Sequence, residues 1–220
     1  MTATLFKERL HPDTLLAGTL IFEFFTPGIA QLCKSAGADF VLYDMEHSGA
    51  DFETIKQQCS YCRALEIAPL VRVPVTEYSL ITRTLDVGAH GIMLPMVESV
   101  EQAAYAVACT RYPPQGRRGA AFGVAHDDYR PGPPVDKIAA ATARTCVIAL
   151  IETPAGVAAV DRIAAVPGID VIWVGHFDLT NFMGIPGQFE HPDYLAAIDR
   201  VLRAARANGK PAGFMALDHA

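Results

Sequence analysis

Phe40-Val41-Leu42-Tyr43-Asp44-Met45-Glu46-His47 is the stretch that decides the fold. An apolar and aromatic run without polar alternation passes straight into acids and a histidine. Such a run suits a strand of a parallel sheet. The polar residues then mark the strand's C-terminal end. Working outward, β-branched runs recur between longer helical patterns, with Gly or Pro between them, which is the sequence form of repeated βα units. The predicted strands are Thr19 to Phe24, Phe40 to Asp44, Ala68 to Val73, Gly91 to Leu94, Thr145 to Ile151, Val171 to Val174 and Pro211 to Met215. Helical patterns fill Phe52 to Leu65, Ser99 to Cys109, Ala155 to Ala164 and Asp193 to Asn208, the last ending in the C-capping Gly209. The expected architecture is a single α/β barrel domain over residues 1–220. Thr110 to Val135, rich in Pro, Gly and Arg, reads as a long irregular stretch, a form usually tied to function.

With 51% hydrophobic and 19% charged residues the chain can bury a sizeable core. Its 18 Lys and Arg against 24 Asp and Glu give a formal charge of −6, which argues against a nucleic-acid partner. Met1 to Leu10 is charged, and no run approaches the roughly 20 apolar residues that cross a bilayer, so neither an export signal nor membrane association is expected and the cytoplasm is the expected location. Five cysteines then read as free thiols, and Cys59-x-x-Cys62, without a second ligand pair, as two helical core residues.

Polar residues gather at predicted strand ends: Asp44, Glu46 and His47 after the second, Arg72 at the third, Glu152 and Thr153 after the fifth, His176, Phe177 and Asp178 after the sixth. In a parallel barrel these ends share one mouth. Two carboxylates, Glu152 and Asp178, suit Mg2+ or Mn2+ completed by water and substrate oxygens. Histidine is a common acid/base group, which makes His47 beside Asp44 and Glu46 a candidate for that role, and Arg72 has the fork that binds a carboxylate or enolate. Glu23 reads as either a further acid at the mouth or an ion-pair partner.

In order and spacing, Asp44-x-Glu46-His47, Val71-Arg72-Val73-Pro74, Leu85-Asp86-Val87-Gly88, Leu94-Pro95-Met96-Val97, Arg111-Tyr112-Pro113-Pro114-x-Gly116-x-Arg118-Gly119, Ile151-Glu152-Thr153 and Gly175-x-x-Asp178-Leu179 resemble the HpcH/HpaI aldolases, from about Gly18 to the end. The resemblance implies a (β/α)8 TIM-type barrel, of which seven strands are visible here and an eighth βα unit is missing. It also implies a homo-oligomeric class II aldolase, 4-hydroxy-2-oxoheptanedioate aldolase-like, that uses a divalent cation to cleave a 4-hydroxy-2-oxo acid into pyruvate and an aldehyde. By position, Glu152 and Asp178 hold the cation, Arg72 binds the 2-oxo acid, and His47 with Asp86 forms the acid/base dyad. Oxaloacetate decarboxylation and non-catalytic binding of a small oxo acid are the alternative activities. Where many relatives carry Gln, this chain has Leu150, and where they carry Gly-Pro-Ala or Gly-Pro-Ser it has Gly175-His176-Phe177. His176 is therefore expected to replace the missing hydrogen bond, with Phe177 and Leu150 shaping the substrate pocket.

Overall fold

The structure is a computed structural model that describes residues 5–216; residues 1–4, the start of the amino-terminal stretch considered above, and residues 217–220 lie outside the described residues. Among the described residues seven strands form one parallel sheet whose spatial order is the chain order: β1 (Gly18–Ile21), β2 (Phe40–Asp44), β3 (Ala68–Arg72), β4 (Gly91–Leu94), β5 (Cys146–Ile151), β6 (Val171–Val174) and β7 (Ala212–Gly213). The crossovers are helices α1 (Ile29–Ser35), α2 (Phe52–Ala64), α3 (Tyr78–Asp86), α4 (Val100–Thr110), α5 (Pro134–Arg144), α6 (Pro154–Ala164), α7 (His176–Phe182) and α8 (Pro192–Ala207).

Each central strand buries both faces, against different partners. On the concave face Phe40, Leu42, Leu70, Met93, Ile148 and Leu150 pack on one another. On the convex face Val41, Tyr43 and Val71 meet α1 and α2, while Ile92, Val147, Ala149 and Ile151 meet the later helices. Burying such a side chain stabilises by about 1.5–3 kcal/mol, so each central strand is held from both sides. The amino-terminal segment plugs the concave side with Phe6, Leu10 and Leu16. Lys7 ties that plug to the entry ends of β5 and β6, donating to the Thr145 carbonyl at 3.0 Å and pairing with Asp170 at 2.9 Å.

Two of the seven predicted strands are much shorter than expected. β1 stops at Ile21, leaving Phe22 and Phe24 exposed, and β7 is reduced to two residues. Each is an edge strand with a single partner among the described residues, so less of its length is held by pairing. Cavities of about 430 and 370 Å³ line these edges, against α8 and α1 respectively, and neither touches the polar strand ends. The irregular stretch from Thr110 ends sooner than expected, because Pro133-Pro134 opens α5 with proline in its first turn, where a missing N–H costs nothing. All five cysteines are free and buried.

Candidate active site

The period-two alternation of the concave face carries past the last apolar residue of each strand into polar ones. After Phe40 and Leu42 comes Asp44, after Ala68 and Leu70 comes Arg72, and after Ile148 and Leu150 comes Glu152. The parallel register sets Asp44 directly beside Arg72. Asp44 is fully buried and takes two parallel bonds from the guanidinium, Nε at 2.8 Å and Nη2 at 2.7 Å. Burial pushes the Asp44 carboxyl up, but the bonds and charge of Arg72 outweigh it and hold the group below its ordinary range. Its oxygens also accept the N–H groups of Glu46 and His47, which folds the chain after β2 into a fixed turn. Arg72 Nη1 lies 3.1 Å from Glu46 Oε2. Three of the five guanidinium N–H groups are thus engaged, leaving two for a ligand.

Glu152 follows β5 and is buried. Burial first, then the nearby Glu46 and Asp178 carboxylates, push its carboxyl up to about 7, against the opposing pull of the Met96 N–H and Arg72. That N–H donates to Oε1 at 2.7 Å, and Met96 takes the left-handed φ of 52° to do so. The other oxygen lies against Gly175, where an added Cβ would sit 2.4 Å from Oε2. Asp178 occupies the first turn of α7, just beyond β6.

These residues fit a divalent cation. A buried carboxylate that burial and then like charges push toward the neutral form is a group that a cation would re-ionise, and the glycine opposite leaves room beside its outer oxygen that a side chain would fill. Among the described residues no group of three or more His, Cys, Asp or Glu closes into a complete cage. Two carboxylates with open positions is the usual provision for Mg2+, which keeps waters and takes substrate oxygens.

The other predicted residues divide. His47 is exposed at the mouth, 3.8 Å from Glu46 Oε2. Asp86 is not brought to it. It ends α3, which runs from the exit of β3 back to the entry of β4, and so lies at the opposite end of the strands. There it accepts from Arg118 at 2.6 Å. Arg118, from the RYPP-x-G-x-RG segment, is almost wholly buried, and Gly116 permits that packing, since a Cβ there would meet two carbonyl oxygens at 2.4 Å. Leu150 lies on the concave face one inward step below Glu152. His176 is buried among Phe177, Phe189 and Phe214, with ring centroids 4.6, 5.3 and 4.9 Å away, and its Nε2 has no hydrogen-bond partner among the described residues. Burial keeps its pKa below the ordinary histidine value. Phe177 is half exposed, and Glu23 lies beyond β1, exposed and without an ion pair among the described residues. Sequence reasoning did not assign roles to Asp44 and Glu46, the anchors of Arg72, nor to Met96, although a buried arginine at a strand end asks for such partners.

Residues 21–219 match the family model described as HpcH/HpaI aldolase/citrate lyase. The chain is 37% identical over 215 residues to a hydroxypyruvate/pyruvate aldolase of Roseovarius nubinhibens, covering 98% of this chain and 83% of the relative. It is 39% identical over 191 residues to a 5-keto-4-deoxy-D-glucarate aldolase of Salmonella arizonae, covering 87% and 74%. Among solved structures, an HpcH/HpaI aldolase/citrate lyase family protein from Burkholderia cenocepacia superposes with a TM-score of 0.88 at 36% identity, over 96% of this chain and 84% of that one.

Proposed function

This chain belongs to the HpcH/HpaI aldolase/citrate lyase family, and from that premise we propose that it is a metal-dependent carbon–carbon lyase cleaving a 4-hydroxy-2-oxo acid into an aldehyde and pyruvate, or hydroxypyruvate. The observation that carries the reading is the buried Glu152 carboxylate, pushed up to about 7, set between Asp178 and an arginine whose fork is already aimed by Asp44. The relatives' names supply the substrate class: both describe aldolases, one of them acting with pyruvate or hydroxypyruvate.

Glu152 and Asp178 would hold a divalent cation, Mg2+ or Mn2+, which supplies Lewis acidity toward the 2-oxo group when bound. The chain's own residues do the rest. The two free N–H groups of Arg72 face the negative charge of the 2-oxo acid and of the enolate that develops from it. His47 at the rim takes the proton of the 4-hydroxyl as the C3–C4 bond breaks. The bonding pair passes to C3, C4 becomes the aldehyde carbonyl, and C3 then gains a proton to give the methyl group of pyruvate. Leu150 floors the pocket with hydrocarbon, and His176 offers a ring nitrogen beside the cation ligand.

Within one chain Asp86 and His47 lie at opposite ends of the strands, so a dyad of the two forms only between copies in a homo-oligomer. Mixing inactive His47→Ala and Asp86→Ala subunits should then restore part of the activity; a mixture as inactive as its components refutes the dyad. The function itself is tested by coupling pyruvate release to lactate dehydrogenase, with 4-hydroxy-2-oxo acids or oxaloacetate as substrate and Mg2+, Mn2+ or EDTA present. Faster turnover of the hydroxy-oxo acids, abolished by EDTA and by Glu152→Ala or Asp178→Ala, is expected. Turnover of oxaloacetate alone would move the assignment to a decarboxylase.

A further inference from the structure

The first turn of α4 carries a side chain, Gln102, that has no part in the reaction. Ser99 caps α4, its Oγ accepting from the Gln102 N–H at 3.1 Å. Ser99-x-x-Gln102 has the spacing of a capping box, in which the glutamine would return to the N–H of the cap residue. Here its amide goes elsewhere. Oε1 accepts from the Glu98 N–H at 3.0 Å, and Nε2 donates to the Met96 carbonyl at 3.0 Å. A backbone donor at one end and a backbone acceptor at the other determine which end of the amide is oxygen. One side chain therefore brackets Met96, Val97 and Glu98.

Met96 has a left-handed backbone that residues other than glycine rarely adopt, and its N–H is the donor that fixes Glu152 Oε1. Pinning the Met96 carbonyl restrains ψ at that residue, and with it the conformer that aims the N–H. From the other side, Thr153 caps α6 and donates to Glu98 Oε1 at 2.7 Å, so the same loop is also tied to the residue after Glu152.

We propose that Gln102 is a positioning residue for the cation site: by holding the Met96 carbonyl it keeps the Met96 N–H on Glu152 and so sets the orientation of that carboxylate. The inference rests on Glu152 being a cation ligand. It is tested by titrating the purified protein with Mn2+ and reading free Mn2+ by electron paramagnetic resonance, with melting temperature recorded for each variant. Gln102→Leu should raise the Mn2+ Kd by roughly 10- to 100-fold, the range typical of groups that orient a metal ligand. Gln102→Glu retains an acceptor for Glu98 but no donor for Met96, and should weaken binding comparably; it decides the matter if Gln102→Leu does not fold. Adding Met96→Gly to Gln102→Leu should recover most of the loss, because glycine takes a positive φ without a Cβ penalty. A role limited to closing the loop would not be relieved in this way, and failure of the rescue overturns the proposal. So does Mn2+ affinity within twofold of the wild type in both Gln102 variants while Glu152→Ala loses binding. If Glu152→Ala itself binds Mn2+ as the wild type does, the cation assignment falls, and the proposal with it.

Discussion

Gly175→Ala is the smallest change that should disable the proposed site. Gly175 has φ −92° and ψ 83°, so alanine meets no left-handed strain and the effect is purely one of space. The new Cβ would lie 2.4 Å from Glu152 Oε2 and 2.7 Å from Glu152 Cβ. Relieving both contacts to ordinary separations of about 3.5 Å requires a relative shift of roughly 1 Å. The carboxylate tip can swing, but Glu152 Cβ is carried by the backbone at the end of β5, and Oε1 is held by Met96. Overpacking of this kind costs about 1–3 kcal/mol of stability. A displacement near 1 Å at a reacting centre can cost on the order of a hundredfold in rate. Denaturant midpoints, Mn2+ affinity and pyruvate release should be compared with those of Gly28→Ala, whose Cβ meets nothing within 4 Å and whose φ is an ordinary −76°. Gly28→Ala should match the wild type. Gly175→Ala with both cation affinity and turnover within twofold of the wild type would refute the steric argument.

Asp44→Ala leaves Arg72 without its bidentate partner and should destabilise the fold by about 3–5 kcal/mol, read from urea denaturation, while raising KM for the 2-oxo acid; an unchanged KM would mean that Asp44 does not aim the fork. His90 is held to a pKa of about 3 by burial and then by the charges of Arg144 and Arg63. Unfolded histidine titrates near 6.5, so between these values the unfolded chain binds the extra proton and stability falls as pH is lowered. From pH 7 to 4.5 the wild type should therefore lose about 2–3 kcal/mol more than His90→Gln, and parallel stability curves would contradict this. Leu150→Gln should lower the Kd for pyruvate in the presence of Mg2+ by about tenfold, measured by calorimetry, if the pocket lacks a donor at that point; an unchanged or weaker Kd would show that the amide does not reach the ligand.

Much of the frame was readable from residue pattern. The run from Phe40 into Asp44 announced both a parallel strand and its polar end, and β2 has those limits in the structure. Arg72 at the end of another such run implied a partner, but only the register of β2 on β3 identifies Asp44 as that partner. Resemblance pairs Asp86 with His47 without saying at which end of a helix Asp86 lies or whether one chain supplies both. Its place at the close of α3 puts it beside Arg118. The edge strands were overestimated because Phe22, Phe24 and Phe214 look like strand residues, whereas pairing and not composition decides where an edge stops. Met96 stood inside a family-like segment, but nothing in the residues announced its left-handed backbone, which is a consequence of what its N–H and carbonyl must reach.

The hydrocarbon floor beneath the polar rim has an electrical consequence. Met93, Ile148 and Leu150 fill the concave face directly under Arg72 and Glu152, and the amino-terminal plug seals it further down. Solvent and salt ions can therefore screen the rim only from above. Asp44, Glu46, Glu152 and Asp178 stand against Arg72, so the ionised rim is an anionic patch on an insulating plate, and its field leaves mostly through the opening. An approaching cation would be drawn in along that axis from about a Debye length away, roughly 10 Å at 0.1 M salt. The rate of cation capture should then fall as salt is added, more steeply than the rate of release.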